Sequence, residues 1–300
     1  MQKHQSVPGV VWSYPIGPEL YLRGREYIRG HESLIHFVHG NGFCGMTYWP
    51  VFRQLSEFFD ICFHDTQGHG DSDDGDRFPG WNLTAERMAQ VVHYRRRGWG
   101  NRRIVGCGHS FGGVLTLLAA ARYPGMFDAV ILLDPVLFPR SAGGLVAFSY
   151  YSGLSHISPL ALQARKRTRY WPDAAHAWDY FYQRGIFKGW SDGALQCYLE
   201  YALHHHEDGS VTLKCPPWME AQIFAGFPRG LWNAVKDVSC PVHIFYGRRT
   251  YPFIPPSVRT AARVNDMVSY AEVSGGHCFM QEEPGPTAER MLTWLQKQGF

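Results

Sequence analysis

The chain has 300 residues, of which 45% are hydrophobic, and its formal net charge is +3. That length and apolar content suit one α/β domain with an insertion, and the small charge argues against nucleic acid or a membrane surface as the partner. No apolar run approaches the roughly 18 residues that cross a bilayer, and the N-terminus lacks the apolar stretch of a signal peptide. Seven cysteines without framework spacing indicate free thiols in a reducing compartment, so we expect a cytoplasmic protein.

The N-terminal region predicts strands that lead into a loop able to bind an anion. Residues 7–30 predict two edge strands, and the apolar run at 34–38 predicts a buried strand that ends in the loop His39–Phe43. A His-Gly turn directly after such a strand can present a backbone N–H to a developing oxyanion. We assign this donor to Phe43, with Gly42 as the next candidate for the site.

Two helices are predicted next. Residues 47–59 predict the first, and within it Tyr48 and Trp49 are candidates for the wall of a pocket beside the preceding loop. Residues 84–97 predict the second, with Thr84 as its N-cap, because a threonine oxygen can accept a hydrogen bond from a free amide of the first helical turn.

The motif Gly-His-Ser-Phe-Gly at 108–112 is the most informative stretch of the chain. A strand-like apolar segment precedes it, and a helix-like segment rich in Ala and Leu follows. Strand, sharp turn and helix together are the context of a nucleophile elbow, which lifts a serine hydroxyl clear of the sheet. We therefore predict that Ser110 is a nucleophile and that the Phe111 amide, at the helix start, is the second oxyanion donor. A plain strand-to-helix turn is the alternative.

The alternation of strands and helices stops after the apolar strand at 129–133. Residues 138–235 are predicted to form a helical cap, with helix starts at Ser191 and at Pro216–Pro217. The remaining residues, 1–137 and 236–300, are predicted to form the core.

The run His204–His206 offers three potential metal ligands. Adjacent histidines on a helix point in different directions, and a metal needs ligands that converge. We therefore expect a solvated helix end there and no metal site.

The C-terminal part predicts strands at 242–246 and 269–273 and a helix that opens near Pro284. His277 lies in a glycine-bearing loop after the last strand, where a sheet of this kind places the general base for a serine. A loop histidine bonded to the backbone is the alternative. The alternation through the chain predicts an α/β fold, with a mostly parallel central sheet and helices on both faces.

These motifs resemble those of the α/β-hydrolase superfamily over nearly the whole chain. The segment Asp65–Ser72 is similar to the Asp-x-x-Gly-His-Gly-x-Ser turn that follows the fourth strand in these enzymes. The resemblance implies that this turn is scaffolding, so Asp65 and His69 are interpreted as structural. It also implies an α/β-hydrolase fold with a cap inserted after the sixth strand, and we expect no cofactor.

The triad acid departs from the family pattern. The acid usually follows the seventh strand, but Thr250 stands at that position, and no Asp or Glu occurs from Gly247 to Asn265. The best candidate is Asp134 at the end of the sixth strand, an arrangement that resembles certain lipases and haloalkane dehalogenases of the superfamily. Asp134 is predicted to orient His277, and a structural aspartate that caps backbone amides is the alternative.

A serine nucleophile with an oxyanion hole attacks a carbonyl carbon and passes through an acyl-enzyme. We predict a serine hydrolase that cleaves a carboxylic ester of a hydrophobic small molecule. This small acyl substrate is the only binding partner that we predict. A thioesterase, a lactonase, a carbon–carbon bond hydrolase and an acyltransferase use the same residues. The alternative function outside the enzymes is a non-catalytic protein that binds a small ligand. The presence of Thr250 at the usual position of the acid favours this alternative. Cys44 and Cys278 flank the predicted site, where they could make it sensitive to thiol reagents.

Overall fold

A computed structural model of the protein describes residues 9–300, except for the side chains of residues 142, 146 and 147. Residues 7 and 8 of the predicted edge-strand region lie outside the described residues. The strands are β1 (Val10–Gly17), β2 (Leu20–Tyr27), β3 (Ser33–Val38), β4 (Asp60–Asp65), β5 (Arg103–His109), β6 (Ala129–Leu133), β7 (Tyr170–Trp171), β8 (Leu203–His205), β9 (Val211–Leu213), β10 (Val242–Arg249) and β11 (Val268–Gly276). The α-helices are α1 (Trp49–Leu55), α2 (Trp81–Trp99), α3 (Phe111–Arg122), α4 (Gly143–Tyr151), α5 (Pro159–Arg165), α6 (Ala174–Phe181), α7 (Asp192–Tyr201), α8 (Pro217–Ala225), α9 (Leu231–Asp237), α10 (Ile254–Val264), α11 (Phe279–Glu282) and α12 (Pro284–Lys297).

Eight strands form the central sheet, in the order β1-β2-β4-β3-β5-β6-β10-β11. The pairs β1–β2 and β2–β4 are antiparallel, and the other neighbours are parallel. The carboxyl ends of β3, β5, β6 and β11 therefore lie along one edge of the sheet, where ligands bind in open α/β folds. This topology confirms the predicted fold class.

Helices cover both faces of the sheet because its parallel strands are apolar on both sides. In β6, Val130 and Leu132 pack in one buried cluster together with residues of α2, α3, α9 and α10. Ile131 and Leu133 point to the opposite face and pack in a second cluster with residues of α1 and α12. The six residues of β3 are all buried. Two apolar layers thus hold the strand ends in fixed positions.

Two helix starts differ from the sequence expectation. The region predicted as one helix at 47–59 is a 3₁₀ turn, Gly45–Tyr48, followed by α1, which ends at Leu55. Helix α2 begins at Trp81, three residues before the predicted start, because the Trp81 ring packs against Phe111 with its centroid 4.7 Å away. Thr84 is therefore not the N-cap; its hydroxyl donates to the Gly80 carbonyl at 2.8 Å.

The segment between β6 and β10, called the insertion below, is mostly helical but contains a small antiparallel sheet, β7-β9-β8. Ser191 caps α7 as predicted, its side chain accepting a hydrogen bond from the Ala194 amide. The histidine run lies on and beside β8 rather than at a helix end. An Asp-Gly turn with Gly209 at φ +86° joins β8 to β9, and this dipeptide is a hairpin signal that the helical interpretation missed. Across residues 9–300, no helix is both long and apolar enough to span a bilayer.

Candidate active site

The turn from β5 into α3 holds Ser110 in a strained conformation. Its φ is +52° and its ψ is −113°, values that side-chain-bearing residues rarely adopt. The two motif glycines permit the turn because backbone passes very close to them. A Cβ on Gly108 would collide with the Gly112 carbonyl, and one on Gly112 would collide with the carbonyl oxygens of Val38 and His39. The motif thus lets α3 approach β3 closely enough to present Ser110 at the sheet edge.

Replacing Gly112 with alanine is expected to lower the free energy of unfolding by about 3 kcal/mol or more, since backbone on β3 cannot yield as a flexible side chain would. Urea denaturation of the purified variant measures the loss. Gly193→Ala is the matched control, because a Cβ at Gly193 in α7 meets no atom within 4 Å. An unchanged unfolding midpoint for Gly112→Ala would contradict the close approach.

Three side chains from three strand ends form one hydrogen-bonded line. His277 Nε2 lies 2.9 Å from Ser110 Oγ, and His277 Nδ1 lies 2.5 Å from Asp134 Oδ2. A carboxylate only accepts, so Nδ1 carries the proton and Nε2 is left to accept from the serine hydroxyl. Asp134 is fully buried and Ser110 is nearly so. The residues predicted from sequence as nucleophile, base and acid are thus brought together in the order that the chemistry requires.

Thr250 is part of this arrangement. Its hydroxyl donates to Asp134 Oδ2, and the Gly247 amide donates to Oδ1 at 2.8 Å. Together with His277 Nδ1–H, these donors satisfy a carboxylate that has no access to water. Thr250, at the position where the resemblance would place an acid, is therefore a hydrogen-bond donor to Asp134.

The loop after β3 departs from the expected donor assignment. The Phe43 amide donates to the Gly40 carbonyl at 3.2 Å, and the Gly42 amide donates to His69 Nε2 at 3.1 Å. Gly40 to Phe43 form a β-turn closed by the first of these bonds, with φ +79° at Gly42. In such a turn the amide of the second residue, Asn41, takes no part in the closing bond. Asn41 also lines the pocket next to Ser110.

Tyr48 and Trp49, expected in the pocket wall, lie elsewhere. The Tyr48 hydroxyl accepts from the Gly40 amide at 3.1 Å and donates to His109 Nδ1 at 2.6 Å. His109 Nε2 in turn donates to the His277 carbonyl at 3.0 Å. Burial and the nearby His277 lower the pKa of His109 well below its usual value, so this ring stays neutral. Trp49 stacks on Tyr27, the last residue of β2, with ring centroids 4.4 Å apart.

The turn after β4 supports the same loop. Asp65 Oδ1 accepts from the Gly45 amide at 2.7 Å, and Oδ2 accepts from the Asp71 amide at 3.1 Å. His69 accepts from the Gly42 amide as described above. Both residues have the structural role that the family resemblance implies.

The two cysteines near the site are buried. Burial raises the pKa of the Cys44 thiol to about 12, with a further contribution from Asp65. Burial also raises the pKa of Cys278 well above its usual value, with Asp134 as the next cause. Because the thiolate is the reactive form, we expect neither residue to compete as a nucleophile or to react readily with thiol reagents.

Ser110 opens into a pocket of about 140 Å³. Its walls are mainly aromatic and aliphatic, and within the described residues no Lys, Arg, Asp or Glu contributes to them. Gly42, Tyr48 and Trp49 are not among the lining residues. The apolar walls are Phe43, Trp81, Phe111, Val136, Phe138, Leu160, Ile186, Ile223, Phe224, Tyr251 and Phe253.

Sequence reasoning did not identify most of these walls. Leu160, Ile186, Ile223 and Phe224 belong to the insertion, whose local pattern predicts helices but not which face meets the sheet. Tyr251 follows β10 and packs its ring against His277, with centroids 4.8 Å apart. The sequence does contain a signal for this turn, because Gly42, two residues after Gly40, favours a β-turn that is closed by the Phe43 amide and does not use the Asn41 amide.

The fold and part of the sequence match known proteins. The 2-(acetamidomethylene)succinate hydrolase of Mesorhizobium japonicum is 29% identical over 256 residues, which are 85% of this chain and 84% of that protein. A crystal structure of E-2-(acetamidomethylene)succinate hydrolase superposes with a TM-score of 0.79 at 21% identity, covering 96% of this chain and all of the other. Human monoglyceride lipase is 30% identical over 131 residues. This match covers 42% of this chain and only 43% of the lipase.

A family model matches most of the chain. The model of the alpha/beta hydrolase family matches residues 37–290. This range runs from β3, before the loop at 39–43, into α12, after His277. With most of its length matched, the protein belongs to the alpha/beta hydrolase family.

Proposed function

We propose that the protein is a serine hydrolase that cleaves a carboxylic ester of a neutral, hydrophobic small molecule through an acyl-enzyme. One observation carries the proposal: the continuous line from Ser110 Oγ through His277 to the buried Asp134 carboxylate, at 2.9 and 2.5 Å. Membership of a hydrolase family supports enzyme activity in general. The line of contacts supports serine as the nucleophile.

In the proposed reaction, Ser110 Oγ attacks the ester carbonyl carbon while His277 Nε2 takes the hydroxyl proton. The imidazolium that forms is stabilised by the Asp134 carboxylate. His277 then gives the proton to the departing alcohol, and a water molecule, deprotonated by the same nitrogen, attacks the acyl-enzyme. The released acid and the free serine complete the cycle.

We assign the oxyanion hole to the backbone amides of Asn41 and Phe111. The Phe111 amide is the first of α3, so it has no partner within the helix, and the helix N-terminus favours negative charge. The Phe43 amide closes the turn and the Gly42 amide donates to His69 Nε2, whereas the Asn41 amide has no hydrogen-bond partner within residues 9–300. This assignment replaces the expectation for Phe43. Each such donor contributes about 3–4 kcal/mol to stabilising the transition state.

We also propose that the insertion acts as a cap, since it supplies several walls of the pocket over Ser110. The pocket volume, about 140 Å³, is close to that of an apolar cavity that holds one benzene molecule, about 150 Å³. One ring or a short acyl chain would fill it. Longer parts of a substrate would extend past Leu160 and Ile186, which are both part of the wall and exposed to solvent.

The charge of the walls distinguishes this proposal from the activity named for the Mesorhizobium relative. A succinate carries two carboxylates, and a pocket that binds them needs cations or several donors to offset their desolvation. The described walls of this pocket contain neither Lys nor Arg. A neutral ester is therefore the better substrate class.

We expect p-nitrophenyl esters of about two to six acyl carbons to be hydrolysed with the highest kcat/KM, and 2-(acetamidomethylene)succinate to be turned over at least about 100-fold more slowly. Product formation followed by chromatography for neutral esters, thioesters, lactones and the succinate measures this order. Ser110→Ala is the control for background hydrolysis. A preference for the dicarboxylate, or turnover that survives in Ser110→Ala, would contradict the proposal.

A further inference from the structure

The insertion exposes an unusual amount of apolar surface over a short span. Of the twenty large hydrophobic side chains that are exposed within residues 9–300, eight lie between 145 and 162. The most exposed are Leu145 at 72%, Tyr151 at 69% and Phe148 at 63%, all on α4. Concentrated exposure of this kind marks an interaction surface, whereas scattered single residues do not.

This apolar surface is contiguous and reaches the pocket. Helix α4 contacts the turn Leu154–Ile157, and that turn contacts both α5 and α8. Helix α5 contributes Leu160 to the pocket wall, and α8 contributes Ile223 and Phe224. Leu160 is thus exposed on its outer side and part of the pocket on its inner side.

The same stretch carries positive charge only. No Asp or Glu occurs from Pro135 to Pro172, whereas five basic residues do. Arg167 is paired with Glu220 at 2.7 Å and is therefore neutralised. The other four, Arg140, Arg165, Lys166 and Arg169, are exposed. Because the net charge of the whole chain is only +3, this local excess of positive charge is not apparent from the composition.

We propose that residues 140–169, called the docking face below, bind an anionic lipid surface. Exposed Leu, Phe and Tyr side chains beside Lys and Arg are what a protein needs to lie in the headgroup layer, where apolar groups leave water and basic groups meet acidic lipids. A second copy of the chain fits the charges less well, because a two-fold interface through this face would bring like charges together. Under the proposed function, on which this step rests, docking would direct the mouth at Leu160 toward an ester dissolved in the lipid.

Co-sedimentation of the full-length protein with vesicles tests the docking face. The vesicles are phosphatidylcholine alone, or phosphatidylcholine mixed with phosphatidylglycerol. We expect tighter binding to the anionic vesicles, weakened by salt. Phe148→Ser/Tyr151→Ser is expected to lose at least about tenfold in binding to anionic vesicles. Arg165→Gln/Lys166→Gln is expected to lose about fivefold per charge on anionic vesicles only.

The matched control is Phe58→Ser/Met267→Ser. Both side chains are exposed. They precede β4 and β11, so they lie at the amino ends of these strands, whereas the insertion starts at the carboxyl end of β6. This control should bind as the wild type does. Equal binding by Phe148→Ser/Tyr151→Ser and wild type would overturn the proposal, as would a wild-type dimer in gel filtration that the same double variant converts to a monomer.

Failure of docking and failure of the proposed function give different results. Docking does not need the nucleophile, so Ser110→Ala should bind vesicles as wild type does. Hydrolysis of a soluble short-chain ester does not need docking, so Phe148→Ser/Tyr151→Ser should retain wild-type kcat/KM on it. Vesicle binding without any Ser110-dependent hydrolysis would leave the docking face in place and remove only the proposed function.

Discussion

Ser110→Ala is expected to abolish labelling by a fluorophosphonate probe and to lower kcat on a neutral ester by about 10⁴-fold or more. The probe reacts when the serine oxygen attacks its phosphorus and displaces fluoride while a base takes the hydroxyl proton, and Ser110 Oγ is 2.9 Å from His277 Nε2. Without Oγ, neither attack nor acyl-enzyme formation is available, and the remaining oxyanion donors give only residual catalysis. Gel fluorescence after labelling, together with steady-state kinetics, measures both effects.

Ser13→Ala is the control for this experiment, because Ser13 is exposed on β1 and far along the sheet from β5. It should label as the wild type does. Ser110→Ala keeps a Cβ at the strained turn, so its unfolding midpoint should stay close to that of the wild type. A folded wild type that does not label would contradict the assignment of the nucleophile and favour the ligand-binding alternative.

Asp134→Asn is expected to lower kcat by roughly 10³–10⁴-fold with little change in stability. The Gly247 amide donates to Oδ1, so the asparagine oxygen is expected to keep that bond, which places the NH₂ group at the Oδ2 position facing His277 Nδ1. The Thr250 hydroxyl can rotate to accept from this group. An NH₂ facing His277 Nδ1 moves the ring proton to Nε2, which then cannot accept from Ser110. Rates across pH and labelling kinetics measure the loss of the base.

Two further variants separate catalysis from folding. Asp128→Asn is the matched control: Asp128 lies at the opposite end of β6, where it accepts from the Ile104 amide at 2.7 Å, and this variant should retain wild-type kcat. The double variant Asp134→Asn/Thr250→Asp returns a carboxylate to the usual position of the family and should recover part of the lost rate. Wild-type turnover in Asp134→Asn would show that His277 is oriented without this carboxylate.

The central sheet and the grouping of Ser110, His277 and Asp134 were predictable from the sequence mainly because their signals are local. A strand, a glycine turn and a helix around Ser110 occupy about twenty consecutive residues, and the strand alternation needs no knowledge of distant contacts. The position of Asp134 was deduced from the family pattern and from the lack of any acid near Thr250. The fold class is confirmed, and the roles of the side chains stay predictions until the variants are measured.

The pocket and the insertion were less predictable because they depend on contacts distant in sequence. Tyr48 has the character of a pocket aromatic, yet its hydroxyl is bonded to Gly40 and His109 beneath the site. The short sheet of the insertion forms because β9 buries Val211 and Leu213 against the neighbouring helices, which helical periodicity does not reveal. The start of α2 likewise depends on Trp81 meeting a ring from another helix.

Under the proposed function, supplying the acid from β6 changes which parts of the chain must be kept during evolution. Strands β6 and β10 are paired in register, and the Asp134 amide donates to the Phe245 carbonyl at 2.7 Å. The Thr250 hydroxyl contacts the same Asp134 oxygen as His277 Nδ1 does, so we expect a carboxylate at position 250 to reach that imidazole too. Aspartates at both ends would oppose each other and raise the pKa of one. A hydroxyl at 250 avoids that repulsion while it still donates. The loop after β10 is thereby released from supplying the charge, and the first residues leading into the insertion become the constrained ones.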